Sequence, residues 1–575
     1  DAEETAAATT TALVDVVSCC SVPVDDDNES NNSNSLRRPI IGQMPHMNEA
    51  QTLQVLQDAE TAWDGGSGAW PQLPLRERVE AIDKVLTELE TKQRTPMIQA
   101  LMWEIGKNWK DAEAEVDRTI AFGRSVIAVV RGGLSNNNDD DDDNEFAGSW
   151  KNYGATVRAY LKRAAIGIVL CLGPMNYPLN ETYATLLPAL LMGNIVVMKI
   201  PTTGGLVHLL TMEAFQKHTP GALHFVSGRG RETMPTLMKT GKIDSLAFIG
   251  GSAAADSLIR HHPSPHRLKI FLQLEAKNMG IFLPNLFTNQ NSNSRVQKEE
   301  LAAALDQAVL GALSFNGQRC TSLKIFFIPK GHGLEFSRQI AQRIDNMHTG
   351  LPWQLWNDED NDGNNDGDDD DNDTTNDNRK PHYSHFTPLP SKSRIELMRR
   401  LIDDAISKGA TIVNQQGGEI LGDNDSTLMV PAVLYPVTPD MDIYYEEQFG
   451  PIVPITEYDT LDTVFQYGQD GQYGQQVSIF VSSEADSEEE SLQAAAHLVD
   501  RFSTVFGKIN INSQCGRSPD TVPFSGRRSS AMGVMSVTEA LREFSIPTVV
   551  SYPDRTSNQR ILQQIQQTST FLQPL

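Results

Sequence analysis

Between residues 164 and 274 the chain repeats one texture, a short apolar run followed by a longer amphipathic stretch. The runs fall at 165–172, 194–199, 222–226, 244–249 and 268–274. Apolar runs of this length without period-two alternation mark strands buried on both faces, and the spacers are long enough for crossover helices between parallel neighbours. The pattern predicts an α/β fold with a doubly wound parallel sheet, whose ligand-binding loops lie at the carboxyl ends of the strands. Upstream, Val79, Ile82, Val85, Leu86 and Leu89 recur at helical spacing, as do Ile98, Leu101, Met102 and Ile105, and a third helix is predicted over 111–130. A second α/β region follows to about residue 501, and late strands are predicted at 508–512 and 548–551.

A chain of 575 residues is too long for one core and predicts two to four units. With 39% hydrophobic and 21% charged residues it has the apolar content of a folded protein. The formal charge of -26 is concentrated: runs at 25–29, 139–145 and 358–377 hold 21 of the 74 acidic residues, so the remaining 53 face 48 lysines and arginines. These Asn/Asp-rich runs are expected to be solvated loops. No basic patch stands out to neutralise phosphates, so nucleic acid is not an expected partner. The longest apolar candidate, 164–175, is stopped by Asn176 and Asn180, so no membrane-spanning helix is expected. Five cysteines form neither an even secreted framework nor a CxxC pair, which predicts free thiols, a reducing and cytoplasmic setting, and no structural metal. The visible N-terminus is acidic and unlike a transit peptide.

Two stretches carry candidate chemistry. In Gly311-Ala-Leu-Ser-Phe-Asn-Gly-Gln-Arg-Cys320-Thr the thiol follows a tight-turn sequence, where backbone N–H groups and the Arg319 guanidinium are expected to stabilise thiolate, the reactive form. A lone cysteine is more often a small buried hydrophobe. In Gly173-Pro-Met-Asn176-Tyr177-Pro-Leu-Asn-Glu the asparagine directly follows a predicted strand, at the sheet edge where ligands bind. There its amide could hold an oxyanion, although asparagine also serves as an ordinary turn or cap residue.

Together these segments resemble the aldehyde dehydrogenase superfamily over roughly residues 50 to 550. Val196–Lys199, Phe248-Ile-Gly250-Gly251-Ser, Glu446-Glu447-Gln-Phe449-Gly-Pro451 and Pro523-Phe524-Ser-Gly526 also match, in family order. The resemblance makes Cys320 the nucleophile and Asn176 the oxyanion donor. Within the superfamily the chain is most similar to the NADP-dependent, non-phosphorylating glyceraldehyde-3-phosphate dehydrogenases, through the Asn176 and Cys320 segments and Arg517-Ser-Pro-Asp-Thr-Val-Pro-Phe. That likeness implies a small phosphorylated aldehyde as substrate, held by Arg118, Arg319 and Arg517 with Asn176 and Tyr177. Guanidinium forks suit phosphate oxygens, although each arginine alone reads as a solvated charge. Another anionic aldehyde, such as a semialdehyde, is the alternative, and a non-catalytic NADP-binding relative is a third reading.

The cofactor positions implied are Pro174, Lys199, Thr202, Gly228, Gly230, Gly250, Gly251, Glu447 and Phe449. In NAD-preferring relatives an acid commonly sits where Thr202 stands, so threonine favours NADP. The sequence departs from the family at one point that matters: the usual Glu-Leu-Gly-Gly-Lys reads Gln273-Leu-Glu275-Ala-Lys277. An amide cannot take the proton of the deacylating water. Side chains two apart on a strand share a face, so Glu275 becomes the expected base. Composition marks a poorly ordered segment over 1–46 and an acidic insert at 357–379; the resemblance implies an NADP-binding domain over 47–290, with 146–163 in a bridging element, a catalytic domain over 291–505 around that insert, and a C-terminal bridging segment and tail over 506–575. Such bridging elements imply a homo-oligomer, a tetramer.

Overall fold

A computed structural model describes residues 11–23, 36–132, 144–154, 156–287, 295–356, 382–483, 490–573 and 575. Most of the acidic runs, the acidic insert and residues 1–10 lie outside the described residues. The five apolar runs form the strands Ile168–Leu172, Ile195–Lys199, Leu223–Val226, Ser245–Ile249 and Lys269–Gln273. All are parallel. Every residue of Ile195–Lys199 and Ser245–Ile249 is buried, which accounts for the missing alternation in the sequence. From Ile168–Leu172 the chain winds one way through Ile195–Lys199 and Leu223–Val226, then returns to place Ser245–Ile249 and Lys269–Gln273 on the other side. The winding reverses beside Leu172, and that point opens a crevice at the strands' carboxyl ends.

The second sheet has seven strands and is centred on Leu323–Pro329 and Asn278–Phe282, both fully buried. Fully burying Phe326, Phe327 and their like contributes roughly 1.5–3 kcal/mol each. The predicted boundary at 290 is corrected here. Asn278–Phe282 pairs with Leu323–Pro329 and Gln476–Phe480, so the last parallel strand of the first sheet ends at Gln273 and the next four residues link it to the second sheet. The C-terminal segment is likewise divided. Lys508–Ile511 closes one edge of the second sheet, Ala531–Met532 runs antiparallel to Lys269–Gln273, and Ile546–Pro553 joins Val157–Ala164 and Ser149–Tyr153 in a three-stranded bridging sheet.

The expectation of a poorly ordered start is corrected for residues 11–23 and 36–46. Ala12–Val17 pairs with Ile40–His46, and Val22–Pro23 pairs with Leu36–Arg37. The buried Cys19 explains why this segment docks: its N–H donates to Trp103 O at 3.2 Å, and its carbonyl accepts from Thr427 Oγ1 at 3.3 Å. Its Thr/Ala/Ser-rich composition hides a strand pair stabilised by neighbours far along the chain. The predicted third helix spans Trp109–Val130 and begins at Asn108, whose side chain accepts from the Asp111 N–H at 2.8 Å.

Candidate active site

A cavity of about 420 Å³ opens where the first sheet reverses its winding. Leu172 is level with Phe248, and Ile249 with Gln273, so the loops after these three strands meet at one place. They bring Asn176, Gly250, Gly251, Gln273 and Glu275 to the wall of a cavity whose opposite side carries Cys320, Glu447 and Phe449.

Cys320 follows a strained turn. Phe315, Asn316 and Gly317 all have positive φ, at 49°, 55° and 68°. Strain of this kind in non-glycine residues persists where surrounding contacts over-determine it. Asn316 supplies one set, its amide donating to Thr387 O at 2.9 Å, and a Cβ on Gly317 would come within 2.6 Å of Gly450 O. Beyond the turn, Asn278 Nδ2 holds Cys320 O at 2.7 Å and Ser322 O at 2.9 Å. Among the five free cysteines Cys320 alone is not fully buried. Burial nevertheless pushes its thiol up to about 11, aided by Glu181 and Glu447, while a hydrogen bond with Gln475 and the charge of Arg319 oppose the shift. In these surroundings the thiol is favoured over the thiolate. Arg319 turns its guanidinium to Thr321 Oγ1, 3.1 Å away, so it does not pair with the sulfur.

Asn176 is placed by a buried ionic support. The Glu115 carboxylate accepts from Leu179 N at 3.0 Å and Asn180 N at 3.2 Å, capping the helix Pro178–Leu191. Lys107 pairs with Glu115 and lies 3.3 Å above the Tyr177 ring. The Asn176 amide donates one hydrogen bond to Gln318 O at 2.7 Å, which aims the side chain across the cavity toward the cysteine loop and leaves a second N–H.

Gln273, Glu275 and Glu447 differ in their surroundings. Gln273 is 3% exposed, and neither its amide N nor its amide O has a partner among the described residues. Glu275 accepts from the Ser252 hydroxyl and from Ser252 N at 3.1 Å, so it caps the helix Ser252–His261. Glu447 is pushed up to about 7 by burial, against the pull of Lys324 and the Ala276 N–H. Its Oε1 stands 3.9 Å from Lys324 Nζ and has no hydrogen-bond partner among the described residues. No sequence motif points to Lys324. It donates to Gly317 O and Gln448 O, both at 2.8 Å, tying the cysteine turn to the Glu447 segment.

Arg118, Arg319 and Arg517 all line the cavity, and so does Tyr177. Two carboxylates that the motifs did not flag partly neutralise them. Asp520 takes Arg118 through a fork at 2.6 and 3.0 Å, and Glu181 takes Arg517 Nη1. Arg517 keeps an unpartnered Nη2 although its side chain is 5% exposed.

Of the predicted cofactor positions, Pro174, Gly250, Gly251, Glu447 and Phe449 line the cavity. Lys199, Thr202, Gly228 and Gly230 do not. They follow or end the adjacent strands Ile195–Lys199 and Leu223–Val226, at the same carboxyl end of the sheet. This edge fits a phosphorylated dinucleotide. Gly228 has φ +94° with its would-be Cβ 2.8 Å from Met47 O, and Thr202 exposes a hydroxyl where a carboxylate would repel phosphate. Lys199 is pushed down to about 8 by burial.

A reversed-winding sheet joined to a second α/β unit, with a cysteine and an amide facing each other across the crevice between them, defines an aldehyde dehydrogenase-like fold. The chain belongs to the aldehyde dehydrogenase family, whose model matches residues 24–550. It is similar to the NADP-dependent glyceraldehyde-3-phosphate dehydrogenase of Streptococcus equinus, 25% identical over 499 residues, which are 86% of this chain and 90% of that protein. The enzyme of the same name from Arabidopsis thaliana is 25% identical over 478 residues, 82% of each chain. Among solved structures, the NADP-dependent glyceraldehyde-3-phosphate dehydrogenase of Bacillus halodurans complexed with NADP superposes with a TM-score of 0.71 at 24% identity, covering 94% of this chain and 96% of that one. Lactaldehyde dehydrogenase from Escherichia coli gives 0.73 at 20% identity, covering 95% and 96%.

Proposed function

We propose that this protein oxidises glyceraldehyde 3-phosphate to 3-phosphoglycerate with NADP, through a thioester on Cys320 and without inorganic phosphate. The observation that carries the reading is the buried Arg517, whose unpartnered Nη2 lies in the same cavity as Cys320, with Arg118 and Arg319 beside it. An unpaired guanidinium N–H in a buried site is costly unless an acceptor meets it, and a substrate phosphate supplies one. The relatives named above share this substrate and cofactor by name.

Sulfur attack on the aldehyde carbon is coupled to transfer of the thiol proton to solvent, since Cys320 rests protonated at neutral pH. The free Asn176 N–H and the Cys320 backbone N–H stabilise the tetrahedral oxyanion. Pro174, Lys199, Thr202, Gly228, Gly230, Gly250, Gly251, Glu447 and Phe449 would hold NADP, which would supply the hydride acceptor. Loss of hydride from the tetrahedral carbon leaves the thioester, and water releases the acid. Asn176→Ala should cost about 10²–10³ in turnover while NADP still binds. Near-normal turnover of that variant would remove Asn176 from the mechanism.

A second reading has its own support. Glu181 and Asp520 already offset two of the three arginine charges, a balance that also suits a singly charged semialdehyde. The deciding assay follows reduced NADP by absorbance in phosphate-free buffer, with glyceraldehyde 3-phosphate against succinic semialdehyde. Faster turnover of the phosphorylated aldehyde supports the proposal, faster turnover of the semialdehyde replaces it, and NADP binding without turnover of either identifies a non-catalytic relative.

A further inference from the structure

The proposed substrate carries an aldehyde that meets Cys320, a phosphate that meets the arginines, and a hydroxyl on the carbon between them. The first two are provided for, and a carboxylate stands where the third would lie. We propose that Glu181 accepts a hydrogen bond from that hydroxyl and so selects 2-hydroxyaldehydes over aldehydes that lack it. This rests on the reading of the protein as a dehydrogenase of phosphorylated aldehydes with Cys320 as nucleophile.

Glu181 closes the segment Asn176-Tyr-Pro-Leu-Asn-Glu and lies in the first turn of the helix Pro178–Leu191. It lines the same cavity as Cys320, Arg118 and Arg517. Its Oε2 accepts from Arg517 Nη1 at 2.5 Å, and its charge is the first of those that hold Cys320 as a thiol. A carboxylate bonded to an anion-binding arginine and felt by the nucleophile stands beside the path between them. The middle carbon of the substrate takes that path.

Glu181 has acceptor capacity left for this contact. Its two oxygens offer about four acceptor directions. Arg517 takes one of them, and Asn180 Nδ2, 3.2 Å from Oε1, takes another. The side chain keeps 18% of its surface accessible, against 5% for Arg517. The arginines have no acceptor to offer a hydroxyl, and a charged acceptor binds it about twice as strongly as a neutral one such as the Tyr177 hydroxyl. A carboxylate beside a phosphate site repels the substrate unless it gains a contact elsewhere on it. The hydroxyl supplies that contact.

The test compares kcat/KM for glyceraldehyde 3-phosphate with that for its 2-deoxy analogue, 3-oxopropyl phosphate, with NADP in phosphate-free buffer. The ratio of the two is taken in each protein and then compared between proteins, which cancels their different intrinsic reactivity. Both aldehydes carry the phosphate, so a disturbance of Arg517 cancels as well. Glu181→Leu should lower the ratio by about 10–10²-fold relative to the wild type, through loss on the hydroxylated aldehyde. Glu181→Gln, which keeps an acceptor oxygen, should retain part of it. The placement of Glu181 has its own readout: iodoacetamide labelling of Cys320 at mildly alkaline pH should be faster in both variants, because a negative charge has left the surroundings of the sulfur. An unchanged ratio in Glu181→Leu, or a ratio lost in Tyr177→Phe instead, overturns the proposal, as does unchanged labelling. A wild type that oxidises neither phosphorylated aldehyde is a different result, and it overturns the substrate reading on which this one rests.

Discussion

At the scale of single residues, environment matters more than identity. Cys320 stands beside Arg319 in sequence, but that guanidinium is turned to Thr321, and burial with Glu181 and Glu447 dominates the sulfur. The sign follows directly. A thiol raised to about 11 is protonated through the neutral range, and its thiolate fraction grows about tenfold per pH unit until that value is reached. Iodoacetamide labelling of Cys320 should therefore keep accelerating from pH 7 to pH 10. A plateau near pH 8 would mean a depressed thiol and would reverse the assignment. The arginines teach the same lesson, since their partners Glu181 and Asp520 lie 336 and 402 residues away in sequence. No motif spacing reveals such pairs.

At the scale of elements, the helix Pro178–Leu191 delivers Asn176, and its N-terminus rests on the Glu115 carboxylate. Glu115 and Lys107 are both fully buried, so neither charge has water to fall back on. Removing one member of a buried pair typically costs about 3–5 kcal/mol, because the other remains unpaired. Glu115→Ala should lower stability by that amount in urea unfolding, and residual activity should fall as the helix start loses its anchor. A change under 1 kcal/mol would show that the pair contributes little. The strands were readable element by element because apolar runs buried on both faces leave a continuous signal. The N-terminal strand pair was not, since its residues are largely exposed and its anchor is a contact with Trp103 and Thr427.

At the scale of the whole molecule, the bridging sheet ends in the strand Ile546–Pro553, which pairs on one side with Val157–Ala164 and exposes Ile546 and Val549. The second side of this strand pairs with no other strand among the described residues. A long edge with apolar side chains invites pairing with another chain. We propose that a second copy of this chain covers the edge. Val549→Asp should shift sedimentation to a smaller species than the wild type, and a wild type that sediments as a monomer would refute this.

Local sequence determined the parallel strands, the helices Leu75–Glu88, Arg94–Ile105 and Trp109–Val130, and the segments that carry Cys320 and Asn176, because each depends on periodicity or on a short motif within one segment. Tertiary structure decided the rest: where the two sheets divide, which carboxylates quench the arginines, that Glu275 is engaged at a helix start and that Glu447 stands beside Lys324. The physical reason is that charge and hydrogen-bond satisfaction are settled between atoms hundreds of residues apart along the chain, and burial, which sets their strength, exists only once the chain has folded.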